Sequence, residues 1–271
     1  MITTNKNNKE IIDWLIANNI PYLQNIEINK KSWLKAGGTA EVLIQPESIE
    51  DAIKTIKYFV YYKIDYYPVG NLSNTLFRDG LIKTPLINLK NFKNPIIKNE
   101  NSNENNFSFK VSSGLSLFKF VTFLQSSCNL TGQEGLIGIP GTIGGAIYTN
   151  ASSYGSCISD YLTKLEFIDH EGNMIILDKD KIKFGWRYSI FHEMKKFLIL
   201  YVYFNFPKRN VEKNETIQKN IAKIKDHRIK FQENNLPNLG SLYATKNLYR
   251  DLSKVSIVLF FLYCFYLVGT K

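Results

Sequence analysis

Sulfur, histidine and long apolar runs are all scarce in this chain. Its 271 residues include three cysteines, Cys128, Cys157 and Cys264. The number is odd and no C-x-x-C pair occurs, which argues against a disulfide framework and a zinc-ribbon site. Such cysteine usage fits a reducing compartment and points to the cytoplasm. The three histidines, His170, His192 and His227, never stand at metal-ligand spacing, so no metal site is expected. The opening residues, MITTNKNNKE, lack the apolar core of a secretory signal. The apolar run at 255–268 is about 14 residues long, short of the roughly 20 that span a bilayer. Its place is left open between a buried helix, a membrane-surface contact and the front of a longer segment.

Charge of one sign is not concentrated either. The net charge is +10, but the lysines are scattered and form no stripe, which argues against a nucleic-acid partner. With 44% hydrophobic and 21% charged residues, the composition is that of a globular protein with room for two or three small domains.

What is present in abundance is glycine, in one place. Residues 132–160 read GQEGLIGIPGTIGGAIYTNASSYGSCISD and contain no lysine or arginine. The absence of a GK[ST] ending excludes a Walker loop, and the spacing is not the Rossmann G-x-G-x-x-G. One proline and several isoleucines exclude a collagen repeat. A flexible linker is a poor fit, because the glycines alternate with Leu136, Ile137, Ile139, Ile143 and Ile147. A buried, ligand-facing turn is therefore expected. Backbone this poor in side chains can form a concave nest of N–H groups around an anion. Main-chain donors would hold a diphosphate there, helped by the hydroxyls of Thr142, Ser152 and Ser153.

Along the rest of the chain, periodicity predicts helices over 8–19 and 47–62, the second capped by Ser48. Strands are expected at Glu41–Gln45, Asp65–Val69, Leu86–Leu89 and Phe107–Val111. A helix within 112–132 is to be capped by Ser116. Strands Leu162–Asp169 and Asn173–Leu177 are joined by the turn HEG, strand Phe197–Phe206 follows, and residues 208–236 read as a linker and a helix. Composition and pattern alone give an α+β class.

Specific stretches go further. GIPGTIGGAIYTNASSYG resembles the flavin-binding signature of the UDP-N-acetylenolpyruvoylglucosamine reductase (MurB) family. GNLSNTLFRDG at 70–80 is similar to that family's G-x-G-S-N-x-L-x-x-D, with Leu72 in place of the middle glycine. WLKAGGTAEVLIQPES at 33–48 resembles its T-x-x-x-GG-x-A segment, and KFGWRYSIFHE at 183–193 its FGYRxSxF. Near the end, Arg228 and Gln232 fit an R…QP pattern with Glu233 in place of the proline. Gly240 and Ser241 fit GSxFKNP without its phenylalanine and proline. The family's later GLKG-like, HANF-like and LEPE segments are absent from this sequence.

The resemblance implies the two-subdomain FAD-binding fold of the vanillyl-alcohol-oxidase (PCMH) type, an α+β fold, with a short atypical C-terminal region. The subdomains would be 1–90 and 91–209, with 210–271 a remnant or divergent substrate-binding region that has an apolar C-terminal segment. The cofactor would be noncovalent FAD, since no histidine or cysteine stands in the early glycine motif. The residues implied to bind it are Gly37, Gly38, Gly70, Asn71, Ser73, Asn74, Thr75, Gly135, Ile139, Pro140, Gly141, Thr142, Gly144, Gly145, Ala146 and Asn150. The implied reaction is reduction of UDP-N-acetyl-3-O-(1-carboxyvinyl)-glucosamine to UDP-N-acetylmuramate with NADPH, a step in peptidoglycan precursor synthesis. Arg187 would steady the enolpyruvyl carboxylate, and Ser241 would protonate the neighbouring carbon. The alternative is an FAD-binding relative without reductase activity, associated with a membrane or partner through 255–268. A plain structural reading of Arg187 is a surface ion pair with Glu193 or Asp178.

Overall fold

A computed structural model describes residues 6–98, 106–232 and 236–240. The described residues up to Leu239 make one compact unit. Ser241 and the apolar run at 255–268 lie outside the described residues.

The chain begins with α1 (Asn8–Ala17), held at its start by a capping box between Asn7 and Glu10. Ile11 and Leu15 are its buried face. Strand β1 (Tyr22–Glu27), the short α2 (Ile28–Lys31) and β2 (Thr39–Ile44) follow. Helix α3 (Ile49–Tyr61) is capped as expected: the Ser48 hydroxyl accepts the Asp51 N–H at 3.1 Å. Then come three two-residue strands, β3 (Tyr67–Pro68), β4 (Leu81–Ile82) and β5 (Leu86–Ile87). The expected strand at Asp65–Val69 shrinks to its middle, where Pro68 has no N–H to extend the ladder. The first sheet runs β1-β2-β5-β3, with β4 beside β2. Only β1 is antiparallel to its neighbour.

The second sheet uses β6 (Ile96–Lys98), β7 (Asn106–Ser112), β10 (Leu162–Ile168), β11 (Met174–Asp178) and β12 (Leu198–Pro207). Its order is β11-β10-β12-β7-β6, antiparallel throughout. Between β7 and β10 lie α4 (Leu117–Cys128), α5 (Ile143–Tyr148) and the hairpin β8 (Ser152–Ser153) and β9 (Ser156–Cys157). Helix α6 (Asn214–Phe231) buries Ile217 and Ile221 against this half.

Central strand β12 explains how the halves join. Its second half alternates, sending Val202, Phe204 and Phe206 into the core beneath α4. Its first half is apolar on both faces. Leu198, Leu200 and Tyr201 join Ile56, Phe59 and Phe92 of the first half in a second cluster. A strand buried on both sides reads as a continuous apolar run, and LILYVYF is one.

Ser116 does stand at the N-cap of α4, but its hydroxyl makes no capping bond. The amide of Leu117 is met instead by the Gly141 carbonyl at 2.9 Å, part of a bridge between Ser116 and Thr142. Six residues of the glycine stretch, Ile143–Tyr148, are helical, as α5, which periodicity did not suggest.

Candidate functional site

A cleft of about 800 Å³ opens between the halves, lined by Val69–Leu72 and Asn88 on one side and by Ser112, Gly114–Ser116 and Gly138–Pro140 on the other. That volume is ample for a large cofactor. Lys31, Lys90 and Lys119 also border it, so it is positive at its margin.

The loop at 70–75 leaves β3 and is fixed at its root by Asn88. The Asn88 amide donates to the carbonyls of Val69 (2.9 Å) and Gly70 (2.8 Å), and its oxygen accepts the Lys90 N–H at 2.7 Å. The loop then touches the glycine stretch directly. Asn71 Nδ2 donates to the Gly141 carbonyl at 3.2 Å. A Cβ on Gly70 would lie 2.6 Å from Thr142 Oγ1, so no side chain fits there without movement. Leu72 keeps the left-handed backbone, φ +54, that the family's glycine would adopt freely. That conformation costs roughly 1–2 kcal/mol for a residue with a Cβ. The leucine offsets the strain by burial against Ile28, Ala40, Leu43, Ile82 and Leu86.

Open main-chain donors lie on both of these touching segments. Among the described residues, no protein acceptor meets the amides of Gly70, Asn71 and Ser73, nor those of Gly138, Gly141 and Thr142. Backbone N–H groups left open beside a cleft are what an anionic group requires. The donors differ in part from those the motif suggested. The Gly144 amide goes to the Ser113 carbonyl at 2.8 Å, and the Gly145 amide to Thr142 Oγ1 at 3.3 Å. Gly144 is small because a Cβ would stand 3.1 Å from that of Ser113.

Other motif residues serve the scaffold. Gly37 and Gly38 do not line the cleft. Gly38 donates to the Arg78 carbonyl at 2.9 Å, and a Cβ on it would overlap the Gly80 carbonyl. Gly38 thus brings backbone against backbone at the far end of the 70–80 loop, and Gly37 makes room for the Ile28 and Phe77 side chains. Gly135 is buried, donates to Ser156 Oγ at 3.1 Å, and has no room for a Cβ beside the Ser153 carbonyl. Ile139 and Pro140 face the cleft, Ala146 is in the core, and Asn74 and Thr75 are exposed. The Thr142 hydroxyl caps α5. Ser153 Oγ accepts from Arg228, and Ser152 offers its carbonyl to Arg187.

Arg187 is exposed, outside the cleft lining, at φ +55 in a turn closed between Gly185 and Tyr188. Its Nη2 donates to the Ser152 carbonyl at 3.0 Å. Among the described residues no carboxylate pairs with it: Glu193 accepts from the Tyr188 hydroxyl, and Asp178 faces Lys181 at 4.0 Å. The surface ion pair of the plain reading is therefore absent there. Asn150 is likewise not turned to the cleft; its amide donates to the Gly185 carbonyl at 2.9 Å.

Arg228 is the most built-in cation of this region. Its Nη2 reaches the Gly135 carbonyl (3.0 Å) and Ser153 Oγ (2.9 Å), and its guanidinium lies 4.9 Å from the Tyr154 ring centre. Burial lowers its pKa, and the Tyr154 charge opposes that. The sequence marked Arg228 only through its place in a motif. Asn88, the anchor of the 70–75 loop, carried no signal, since LINLK has neither glycine nor a charge pattern.

The FAD binding domain family matches residues 40–178, slightly more than half of the chain. A UDP-N-acetylenolpyruvoylglucosamine reductase of Caldanaerobacter subterraneus subsp. tengcongensis is 31% identical over 219 residues, 81% of this chain and 68% of the relative. One of Clostridium botulinum (strain Alaska E43) is 30% identical over 220 residues with the same coverage. The crystal structure of the Thermus caldophilus UDP-N-acetylenolpyruvylglucosamine reductase superposes with a TM-score of 0.65 at 20% identity, over 88% of this chain and 80% of that one. Cholesterol oxidase from B. sterolicum shares the fold at a TM-score of 0.52 and 13% identity, over 70% of this chain and 38% of that one. The two-subdomain FAD-binding fold expected from the motifs is thereby established.

Proposed function

We propose, from the premise that this chain belongs to the UDP-N-acetylenolpyruvoylglucosamine reductase family, that it holds FAD noncovalently in the cleft and reduces the enolpyruvyl ether of a UDP-sugar with NADPH. The observation that carries the reading is that the open amides of Gly70 and Asn71 on one wall and Gly138 on the other border one cleft, with no carboxylate among its described lining residues. FAD carries two linked phosphates, and main-chain donors suit them because they neutralise charge without adding bulk. Ile139, Pro140, Leu43 and Leu86 offer apolar surface to a flat ring system. When bound, FAD supplies a hydride carrier that stores two electrons between the two substrates.

The chain's own part in the chemistry is electrostatic. Reduction of an enolpyruvyl group drives negative charge toward its carboxylate. Arg187 presents a planar fork suited to that carboxylate, and one of its nitrogens is already tethered to Ser152. Ser241 follows the α6 region in the motif and is assigned the proton transfer to the neighbouring carbon. The product would be UDP-N-acetylmuramate, made in the cytoplasm for the peptidoglycan wall.

The exposure of Arg187 away from the cleft lining favours keeping the second reading, an FAD-binding relative without this activity. One experiment separates them. Purified protein is titrated with FAD, followed by flavin fluorescence, and then assayed for NADPH oxidation with the UDP-enolpyruvyl sugar. FAD uptake with turnover supports the reductase; FAD uptake without turnover supports the relative. Failure to take up FAD would overturn both.

A further inference from the structure

Asn150 lies in the glycine-rich signature, yet its side chain is fully engaged elsewhere. Its Nδ2 donates to the Gly185 carbonyl at 2.9 Å, and its Oδ1 accepts from Cys157 Sγ at 3.0 Å. Gly185 opens the tight turn that carries Arg187, and the same carbonyl closes the turn by accepting the Tyr188 N–H at 3.4 Å. Two further bonds join the same pair of segments. Ser189 Oγ donates to the Tyr148 carbonyl at 2.8 Å, and Arg187 Nη2 donates to the Ser152 carbonyl at 3.0 Å. Residues 148, 150 and 152 thus each hold one residue of 185–189.

The turn needs such support. Arg187 sits at φ +55, a conformation that costs a residue with a Cβ roughly 1–2 kcal/mol and persists only where neighbours over-determine it. The other side of the latch is rigid. Cys157 pairs with Ser152 across the β8–β9 hairpin, and Arg228 ties that hairpin to Gly135. An amide has one donor end and one acceptor end. With Cys157 donating to the oxygen, the nitrogen must face Gly185. Asparagine also accepts the left-handed backbone this position adopts, φ +46, more readily than most residues.

We propose that Asn150, oriented by Cys157, is a positioning residue that latches the arginine-bearing turn, and that it is not a contact of the cofactor. The functional half of this inference rests on the role given above to Arg187. The structural half does not, and the test keeps them apart.

Hydrogen exchange is measured on the full chain over the 184–190 segment, for wild type, Asn150→Gly, Asn150→Asp, Cys157→Ala and Cys157→Ser. Glycine keeps the left-handed backbone without the amide, so folding is spared; aspartate keeps the shape but cannot donate to a carbonyl. Exchange should be about 3- to 10-fold faster in both Asn150 variants, as for one lost neutral hydrogen bond. Cys157→Ala should show a smaller rise, and Cys157→Ser, which keeps a donor, should return toward wild type. FAD affinity should stay within about twofold in Asn150→Gly, since the open amides of the cleft are untouched. Unchanged exchange in both Asn150 variants would overturn the latch. A tenfold or greater loss of FAD affinity in Asn150→Gly would make it a cofactor contact instead. In turnover, Asn150→Gly combined with Arg187→Ala should lose no more than Arg187→Ala alone, and additive losses would refute action through the arginine. If Arg187→Ala alone leaves turnover intact, the catalytic reading of Arg187 fails while the exchange result still decides the latch.

Discussion

Gly70→Ala tests whether the open amides on the two touching segments act together. The added methyl would sit 2.6 Å from Thr142 Oγ1, where ordinary contact begins near 3.4 Å. Two responses are open. Thr142 can rotate away, which breaks its hydrogen bond to the Gly145 amide and costs about 1 kcal/mol, the usual worth of an N-cap. Otherwise the 70–75 loop retreats by something under an ångström and takes its open amides with it. The Asn71 bond to the Gly141 carbonyl, already 3.2 Å long, would be lost in that retreat. A hydrogen bond to a charged group is worth roughly 1.5–3 kcal/mol, so misplacing one or two donors weakens FAD binding by about 10- to 100-fold or more. The assay is titration of cofactor-free protein by flavin fluorescence, beside a thermal melt of the same protein. Affinity should fall as described while stability of the free protein drops by only about 1 kcal/mol. Removing the obstacle in Gly70→Ala/Thr142→Ala should restore part of the affinity. An unchanged Kd in Gly70→Ala would refute the claim that the two sets of donors act together.

Gly145 is a helical residue with no crowded neighbour, so Gly145→Ala should stabilise the protein by about 0.5–1 kcal/mol in denaturant melts, whereas Gly38→Ala, aimed at the Gly80 carbonyl, should yield little folded protein. The Tyr66 hydroxyl is buried and has no hydrogen-bond partner among the described residues, so Tyr66→Phe should raise stability by about 1 kcal/mol. Burial, helped by the Asp169 charge, holds the Tyr66 pKa well above its usual 10.0. Stability from that neutral phenol is complete below pH 10 and declines as the pH rises from there toward the folded pKa, so Tyr66→Phe should also delay alkaline unfolding. Lys110 is ion-paired to Glu166 at 3.0 Å, and Tyr203 donates to the same carboxylate. Burial alone would lower the Lys110 pKa, but hydrogen bonds with Tyr203 and Glu166 outweigh it and raise it above 10.5. Glu166→Gln should cost about 1–2 kcal/mol near neutral pH by urea melts, and the gap from wild type should narrow as the lysine loses its proton above pH 10.5.

Motif and periodicity made much of this fold legible, and the losses have physical causes. Helix α3 was readable because Ser48, Glu50 and Asp51 announce its start and Ala52, Ile56 and Phe59 repeat on one face. Strand β12 was readable as an apolar run, though not the reason for it, which is a second face buried by the first half. Strand β1 left no trace: only Tyr22 and Ile26 are even partly covered, so no alternation marks it. The two-residue strands β3, β4 and β5 lie below any periodic signal. Helix α5 was hidden because Gly144 and Gly145 are poor helix formers, tolerated where Ser113 packs against the first of them. In the cleft, glycine spacing showed where backbone comes close, but not what it comes close to. Gly38, Gly114 and Gly135 approach the carbonyls of Gly80, Leu89 and Ser153, whereas Gly70, Gly138 and Gly141 leave amides open. Both kinds look alike in a sequence, because glycine spacing does not say which atoms the backbone meets, and Gly141 has room for a Cβ.

That division has a consequence for how affinity responds to pH. Among the described residues, those bordering the cleft include three lysines and no histidine, aspartate or glutamate. Main-chain amides do not titrate, and lysine side chains ordinarily stay charged well above neutrality. The linked phosphates of FAD are fully ionised throughout that range. Affinity for FAD should therefore be level between about pH 6 and 9, measured by fluorescence titration in buffers of equal ionic strength. Raising the salt should weaken it modestly, through Lys31, Lys90 and Lys119 at the margin. A step in affinity near pH 6.5 would require a histidine at the phosphates. His192 stacks on Tyr148 and His227 lies beside Tyr154, both away from the cleft lining, so such a step would show that the donors named here are not the ones that hold the cofactor.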